Sequence, residues 1–184
     1  MRKSDYLILN SFYFDFNNDL TDIEYVKESF KNQNILDLFR FDKITIIKKI
    51  NYENNINFIY LPQNIEIINE DVFANNKIEI LDLSNCIKLK NIENWSFVNN
   101  QIKQLKLPQN IEIIGEFAFY INQIEILDLS NCIKLKNINN FAFEKNQIKQ
   151  LKLPNNIEEI ECSAFANNQI ESLDLSNYTK LTRI

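Results

Sequence analysis

Histidine is absent from this 184-residue chain, glycine occurs once, at Gly115, and proline and cysteine occur three times each. Without histidine the chain lacks the commonest general base and metal ligand. A single glycine excludes every glycine-rich phosphate loop. Cys86, Cys132 and Cys162 are an odd number and too sparse for a disulfide framework. No apolar run approaches the roughly 20 residues that a membrane-spanning helix needs. Arg2 and Lys3 are followed at once by Asp5, and the apolar run at residues 6–9 is too short for the core of a signal peptide. These features lead to the expectation of an intracellular protein with no membrane insertion; a cell-surface or secreted protein is the alternative.

Two residue types fill the space left by what is missing. Isoleucine and asparagine occur 30 times each, about a third of the chain. With 45% apolar residues the chain can still bury a core, so its asparagine content does not imply disorder. The formal net charge is −5 and the isoelectric point about 4.9, which argues against nucleic acid and anionic membrane as partners. Residues 1–50 hold eight acids and eight bases, so the whole excess falls in residues 51–184.

The strongest signal is internal repetition. A segment of the form Asn-x-Ile-x-x-Leu-x-Leu opens at Ile56, Ile78, Ile102, Ile124, Ile148 and Ile170, at intervals of 22, 24, 22, 24 and 22 residues. The true unit is therefore a 46-residue pair of unlike repeats. One half runs through LPQNIEIIGEFAF into IEILDLS; the other runs through LSNCIKLKNINNFAF into IKQLKLP. The alternation at Ile148, Leu151 and Leu153 marks a short strand with its apolar side inward. Stacked copies predict a solenoid with parallel strands on one face, turns and irregular or 3-10 segments on the other, and a regular part about 24 Å long.

The wording IGEFAF at 114–119, followed by an asparagine-containing turn and Leu-x-Leu-Pro, resembles the BspA-like type of leucine-rich repeat over residues about 54–184. The resemblance implies a leucine-rich repeat solenoid that works by binding. It also implies an alternative, an exported adhesin-like protein that binds host proteins. Residues 1–50 are expected to form an α+β N-terminal cap of strand, helix and strand, with the helix starting at Thr21 or Asp22 and a worn repeat over residues 30–50. Residues 51–184 then form the solenoid.

Two polar columns stand out. Asn64, Cys86, Asn110, Cys132, Asn156 and Tyr178 occupy the position where leucine-rich repeats usually bury an asparagine or cysteine, and are expected to form an asparagine ladder. Asn76, Asn100, Asn122, Asn146 and Asn168 precede each strand and are expected to supply left-handed turn conformations. Phe73, Phe97, Phe119, Phe143 and Phe165, joined by Trp95, Phe117 and Phe141, are expected to form a core spine.

Outward strand positions alternate in sign. One row reads Glu79, Lys103, Glu125, Lys149, Glu171 and a second Asp82, Lys106, Asp128, Lys152, Asp174; a third, past the strand, reads Glu66, Lys88, Glu112, Lys134, Glu158, Lys180. With strands about 4.8 Å apart, each charge is expected between two opposite ones. The favoured reading is a self-neutralised solvated face that fixes repeat order; the alternative makes this striped face the candidate interaction surface for a charged protein partner. Phe58 and Tyr60 replace the charges at its N-terminal edge, either as interface anchors or under the cap, which is the favoured explanation. The apolar C-terminal turn suggests a homodimer through that end. No nucleophile and base, metal-ligand set or cofactor motif stands out. The carboxylates Glu159 and Glu161 fit a solvated turn better than an active site. The expected function is a non-catalytic protein-interaction scaffold without a cofactor.

Overall fold

In a computed structural model of the chain the described residues are 22–23, 35–39, 44–47 and 56–184. They form thirteen short strands: β1 (Asp22–Ile23), β2 (Ile35–Asp37), β3 (Ile46–Ile47), β4 (Phe58–Tyr60), β5 (Ile67–Ile68), β6 (Ile80–Asp82), β7 (Asn91–Ile92), β8 (Gln104–Lys106), β9 (Ile113–Ile114), β10 (Ile126–Asp128), β11 (Asn137–Ile138), β12 (Gln150–Lys152) and β13 (Glu159–Ile160). Every pairing is parallel. No described residue is helical, and the expected helix does not start at Asp22, because Asp22 and Ile23 pair with Ile46 and Ile47. The rest of that expected helix lies outside the described residues.

The protein is a parallel β-solenoid, as the alternation in sequence requires. In β4, β6, β8 and β10 the middle residue is buried and its neighbours are exposed. The odd-numbered strands run continuously from β1 to β9, and β11 pairs with β13. The even-numbered strands pair only in couples: β2 with β4, β6 with β8, and β10 with β12. Couples β6/β8 and β10/β12 span the 24-residue steps, and the 22-residue junctions between couples stay open. At these junctions Pro62 and Pro108, which have no N–H to donate, follow the strand within two residues.

A third wall, made by the segments at 71–75, 95–99, 117–121, 141–145 and 163–167, is bonded without strands. Within it, alternate residues donate to the next turn: Phe97 N–H to the Ala118 carbonyl at 2.9 Å, Trp95 to Glu116 at 2.9 Å, and Asn99 to Tyr120 at 2.8 Å. Aiming every second N–H along the solenoid axis takes a left-handed residue at each end of the segment. Asp71, Trp95, Phe117, Phe141 and Ser163 form one such column; Asn75, Asn99, Ile121, Lys145 and Asn167 form the other. The left-handed residue is therefore the one before Asn76, Asn100, Asn122, Asn146 and Asn168, not these asparagines themselves. A β-branched side chain at φ 54° costs about 1 kcal/mol, which an asparagine largely avoids. Ile121→Asn should raise stability by about 0.5–1 kcal/mol in urea unfolding. A loss would mean that packing of the half-exposed Ile121 outweighs its backbone strain.

The asparagine ladder is present, but in the second column. Asn146 accepts from Ile124 N–H at 3.1 Å and donates to the carbonyls of Phe119 and Phe143 at 2.9 and 3.1 Å. Asn100 and Asn122 repeat the pattern, so the Phe97 and Phe119 carbonyls each receive donors from two successive asparagines. In the column first expected to form the ladder, Cys86 and Cys132 are buried, while Asn110 and Asn156 are half-buried and make single bonds to the preceding turn. The phenylalanine spine is confirmed for Phe73, Phe97, Phe119 and Phe143, which are fully buried with stacked rings 5.2–5.4 Å apart. Each ring contributes roughly 2–3 kcal/mol by burial. Trp95, Phe117 and Phe141 do not join this spine. They stack separately, partly exposed, on the third wall.

Candidate interaction surface

The even-numbered strands form one outward face, and its charges follow the couples. Lys103 meets Glu79 at 3.1 Å, Lys106 meets Asp82 at 3.1 Å, Lys149 meets Glu125 at 3.4 Å, and Lys152 meets Asp128 at 3.1 Å. Among the described residues, no ion pair bridges the open junction from Lys103 to Glu125 or from Lys106 to Asp128. Each charge therefore has one partner rather than two, because only the 24-residue steps bring neighbouring strands into paired register. Glu171 and Asp174 lie in the last turn and form no ion pair among the described residues. In the third row Glu112 meets Lys134 at 3.5 Å, whereas Glu158 turns to Lys136 at 2.8 Å.

These exposed pairs contribute tenths of a kcal/mol each, so their role is to fix turn order rather than to hold the fold. The aspartates do a second local job. Asp128 accepts from the hydroxyl and the N–H of Ser130 at 2.6 and 3.0 Å, and with Lys152 these bonds hold its carboxyl below the usual range. At Asp82 partial burial works the other way, but Ser84 and Lys106 outweigh it and the carboxyl is again held low.

The N-terminal part of this face is apolar. Phe58 and Tyr60 are 41% and 43% exposed, in register with Ile35 and Asp37 of β2. Strand β2 lies beside them rather than over them, so among the described residues no cap covers the pair. Ile80 on the next even strand is 46% exposed and Phe39 is 52% exposed. Ile35, Phe39, Phe58 and Tyr60 give the face an apolar end that Ile80 adjoins, followed by a striped, neutral part in which Ile126, the counterpart of Ile80, is 58% exposed between charges. Ile35, Phe39 and Ile80 were not singled out from sequence. For Ile35 and Phe39 the signal was the break in the charge rows at β2 and β4; Ile80 lies on β6 between the intact charges Glu79 and Asp82.

A groove of about 730 Å3 lies on the odd side where β9 and β11 do not pair, lined among others by Ile113, Lys136, Asn137, Asn139 and Glu158. Asn139 donates its amide to the Ile114 carbonyl at 2.7 Å there, replacing a ladder bond. Glu159 pairs with Arg183 at 3.8 Å. Among the described residues there is no group of three or more Asp, Glu or Cys side chains placed to hold a metal ion, and no helix long and apolar enough to cross a membrane.

The cysteines are separated by burial. Cys86 and Cys132 lie inside the solenoid, where burial, with Asp82 and Asp128 nearby, pushes their thiols up to about 11. Cys162 is exposed. Since only the thiolate reacts, a thiol reagent at pH 8 should titrate one cysteine quickly in the native protein and three after denaturation. Fast labelling of all three in the native state would contradict the burial of two.

Stacked 22- and 24-residue turns, a strand face built on Ile-x-x-Leu-x-Leu and a buried asparagine ladder define a leucine-rich repeat solenoid. The chain matches the BspA type leucine rich repeat region in six copies over residues 8–89 and 81–184, and it belongs to that family. Repeats of this family imply a protein-interaction scaffold, and solenoids of this class are typically non-catalytic. Comparison with curated proteins finds no match.

Proposed function

We propose that this chain binds a protein partner across its even-numbered strand face, with Ile35, Phe58, Tyr60 and Ile80 as the anchor. The observation that supports this is the exposed aromatic and aliphatic cluster on an otherwise charge-neutralised face. Buried aromatics carry most of an interface's energy, whereas rim charges set orientation and association rate. On this reading Glu79, Asp82, Lys103, Lys106, Glu125, Asp128, Lys149 and Lys152 align the partner. Glu171 and Asp174 continue the two rows into the last turn.

The test uses the whole chain as bait in a native extract, beside a Phe58→Ala, Tyr60→Ala double variant whose fold is checked by circular dichroism. The expected result is a partner retained by the wild type and reduced at least tenfold with the variant. Identical partner lists would remove this end of the face from consideration. Secretion of the native gene product separates an intracellular scaffold from an exported adhesin-like one using the same face.

Self-association through the last turn is a second reading. It is supported by Phe165, Ile170, Leu173, Leu175 and Leu181, which are only partly buried against the core, and by Ile184 at 79% exposure. Light scattering on a dilution series decides it, and a monomer at every concentration rejects it.

A further inference from the structure

The third wall carries a feature that folding does not require. Its first left-handed column must hold a residue at positive φ in every turn, and the occupants are Asp71, Trp95, Phe117, Phe141 and Ser163. Short polar residues adopt that conformation at least cost, as Asp71 and Ser163 do at the two ends. The three middle turns instead place large rings there, at φ 54°, 54° and 57°. These rings are outside the core spine. Trp95 is 38% exposed, and Phe117 and Phe141 are half-buried. The ring of Trp95 stacks on that of Phe117 at 6.0 Å, and Phe117 stacks on Phe141 at 4.6 Å; Tyr120 meets Phe117 edge-on at 5.3 Å. The result is a continuous aromatic strip along the solenoid axis.

The charge of this wall, taken with the two residues before and the one after each of its segments, is one-sided. Residues 69–76, 93–100, 115–122, 139–146 and 161–168 contain six acids (Glu70, Asp71, Glu93, Glu116, Glu144 and Glu161) and one base, Lys145. Six minus one leaves −5. Residues 1–50 balance at eight and eight, and the rest of 51–184 balances at eleven and eleven, so the net −5 of the whole chain resides here. Lys145 is already engaged, 2.7 Å from the Tyr120 hydroxyl and 5.0 Å from its ring centre. This contact is an internal example of a cation held by the aromatic strip.

We propose that this strip is a docking surface for a cationic, arginine-bearing segment of a protein partner. A guanidinium is flat, stacks on aromatic rings and pairs with carboxylates in a fork, so it uses both properties of the wall at once. Among the described residues no ring continues the stack beyond Trp95 or beyond Phe141, which leaves two places where a guanidinium plane can extend it. Glu93 and Glu116, two residues before Trp95 and one before Phe117, are steadied by the amides of Asn91 and Asn140 at 3.1 Å each. A nucleic acid or an anionic membrane would meet charge of its own sign. This surface is distinct from the even-numbered strand face, and either can fail without the other.

Trp95 is the only tryptophan in the chain, so its fluorescence reports on the strip directly. The probes are three unstructured peptides of equal length, alternating serine with arginine, lysine or glutamate, titrated into the full chain. The arginine peptide is expected to change Trp95 emission saturably, more weakly at higher salt, and to bind at least fivefold tighter than the lysine peptide. The glutamate peptide is expected to have no effect. Phe117→Asn with Phe141→Asn suits the left-handed backbone and should melt no lower than the wild type, yet weaken arginine-peptide binding at least tenfold. The Phe58→Ala, Tyr60→Ala variant should bind the peptide unchanged. Absence of saturable binding, equal binding of the arginine and glutamate peptides, or undiminished binding by the folded asparagine variant would each overturn the proposal.

Discussion

Asn146→Ala should destabilise the protein by about 3 kcal/mol, a large effect for one half-turn residue. The asparagine is 6% exposed and its amide is fully used. Removing it takes the only side-chain acceptor from the buried Ile124 N–H, and an orphaned buried donor costs about 1–3 kcal/mol. The Phe119 and Phe143 carbonyls lose less, because Asn122 and Asn168 still donate to them at 3.1 and 2.9 Å. The lost bonds and the small void left behind account for the remainder. Asn131→Ala is the matched control, since Asn131 is exposed; its cost should stay within about 0.5 kcal/mol in urea unfolding. Equal effects at the two positions would mean that asparagine content, rather than the ladder, matters for stability.

Gly115→Ala should cost a similar amount, about 3 kcal/mol, for a different reason. Gly115 is not at positive φ, so it is required for space rather than for backbone freedom. A Cβ there would lie 2.5 Å from the Asn94 nitrogen and 2.6 Å from both Asn94 Oδ1 and the Glu93 carbonyl carbon. Two of these three atoms are backbone and cannot swing aside. Retreat would also break the bonds from Gly115 N–H to the Ile92 carbonyl and from Glu116 N–H to Asn94 Oδ1, both 2.8 Å. An alanine variant with an unchanged urea midpoint would show that this turn tolerates a shift that the packing forbids.

The solenoid was legible in sequence because Ile, Leu, Phe and Asn recur at fixed offsets, and a fixed offset in sequence becomes a column in space. The phenylalanine spine and the strand face follow directly. The pairing of charges was only half legible: the alternation of Glu79 with Lys103 is visible, but which junction carries strand pairing depends on backbone geometry that composition does not encode. The ladder was displaced for a similar reason. Asn110 and Asn122 recur with the same regularity, and only the turn conformation decides which amide points inward. The left-handed positions were the least legible, since Trp95, Phe117, Ile121 and Phe141 are residues that propensity keeps out of that region. Continuous hydrogen bonding to the next turn overrides that preference, and with one glycine in the chain other residues must occupy these positions.

Side-chain amides, buried column by column, replace the backbone partners that a glycine-poor turn cannot provide. Native-state hydrogen exchange tests this most directly at Ile102, Ile124 and Ile148, whose N–H groups lie outside every strand and donate only to Asn122, Asn146 and Asn168 at 3.0, 3.1 and 2.9 Å. These three amides are expected to exchange as slowly as that of Leu127 within β10, and Asn146→Ala to speed exchange selectively at Ile124. Exchange of all three at the rate of exposed turn amides such as that of Asn131 would contradict it.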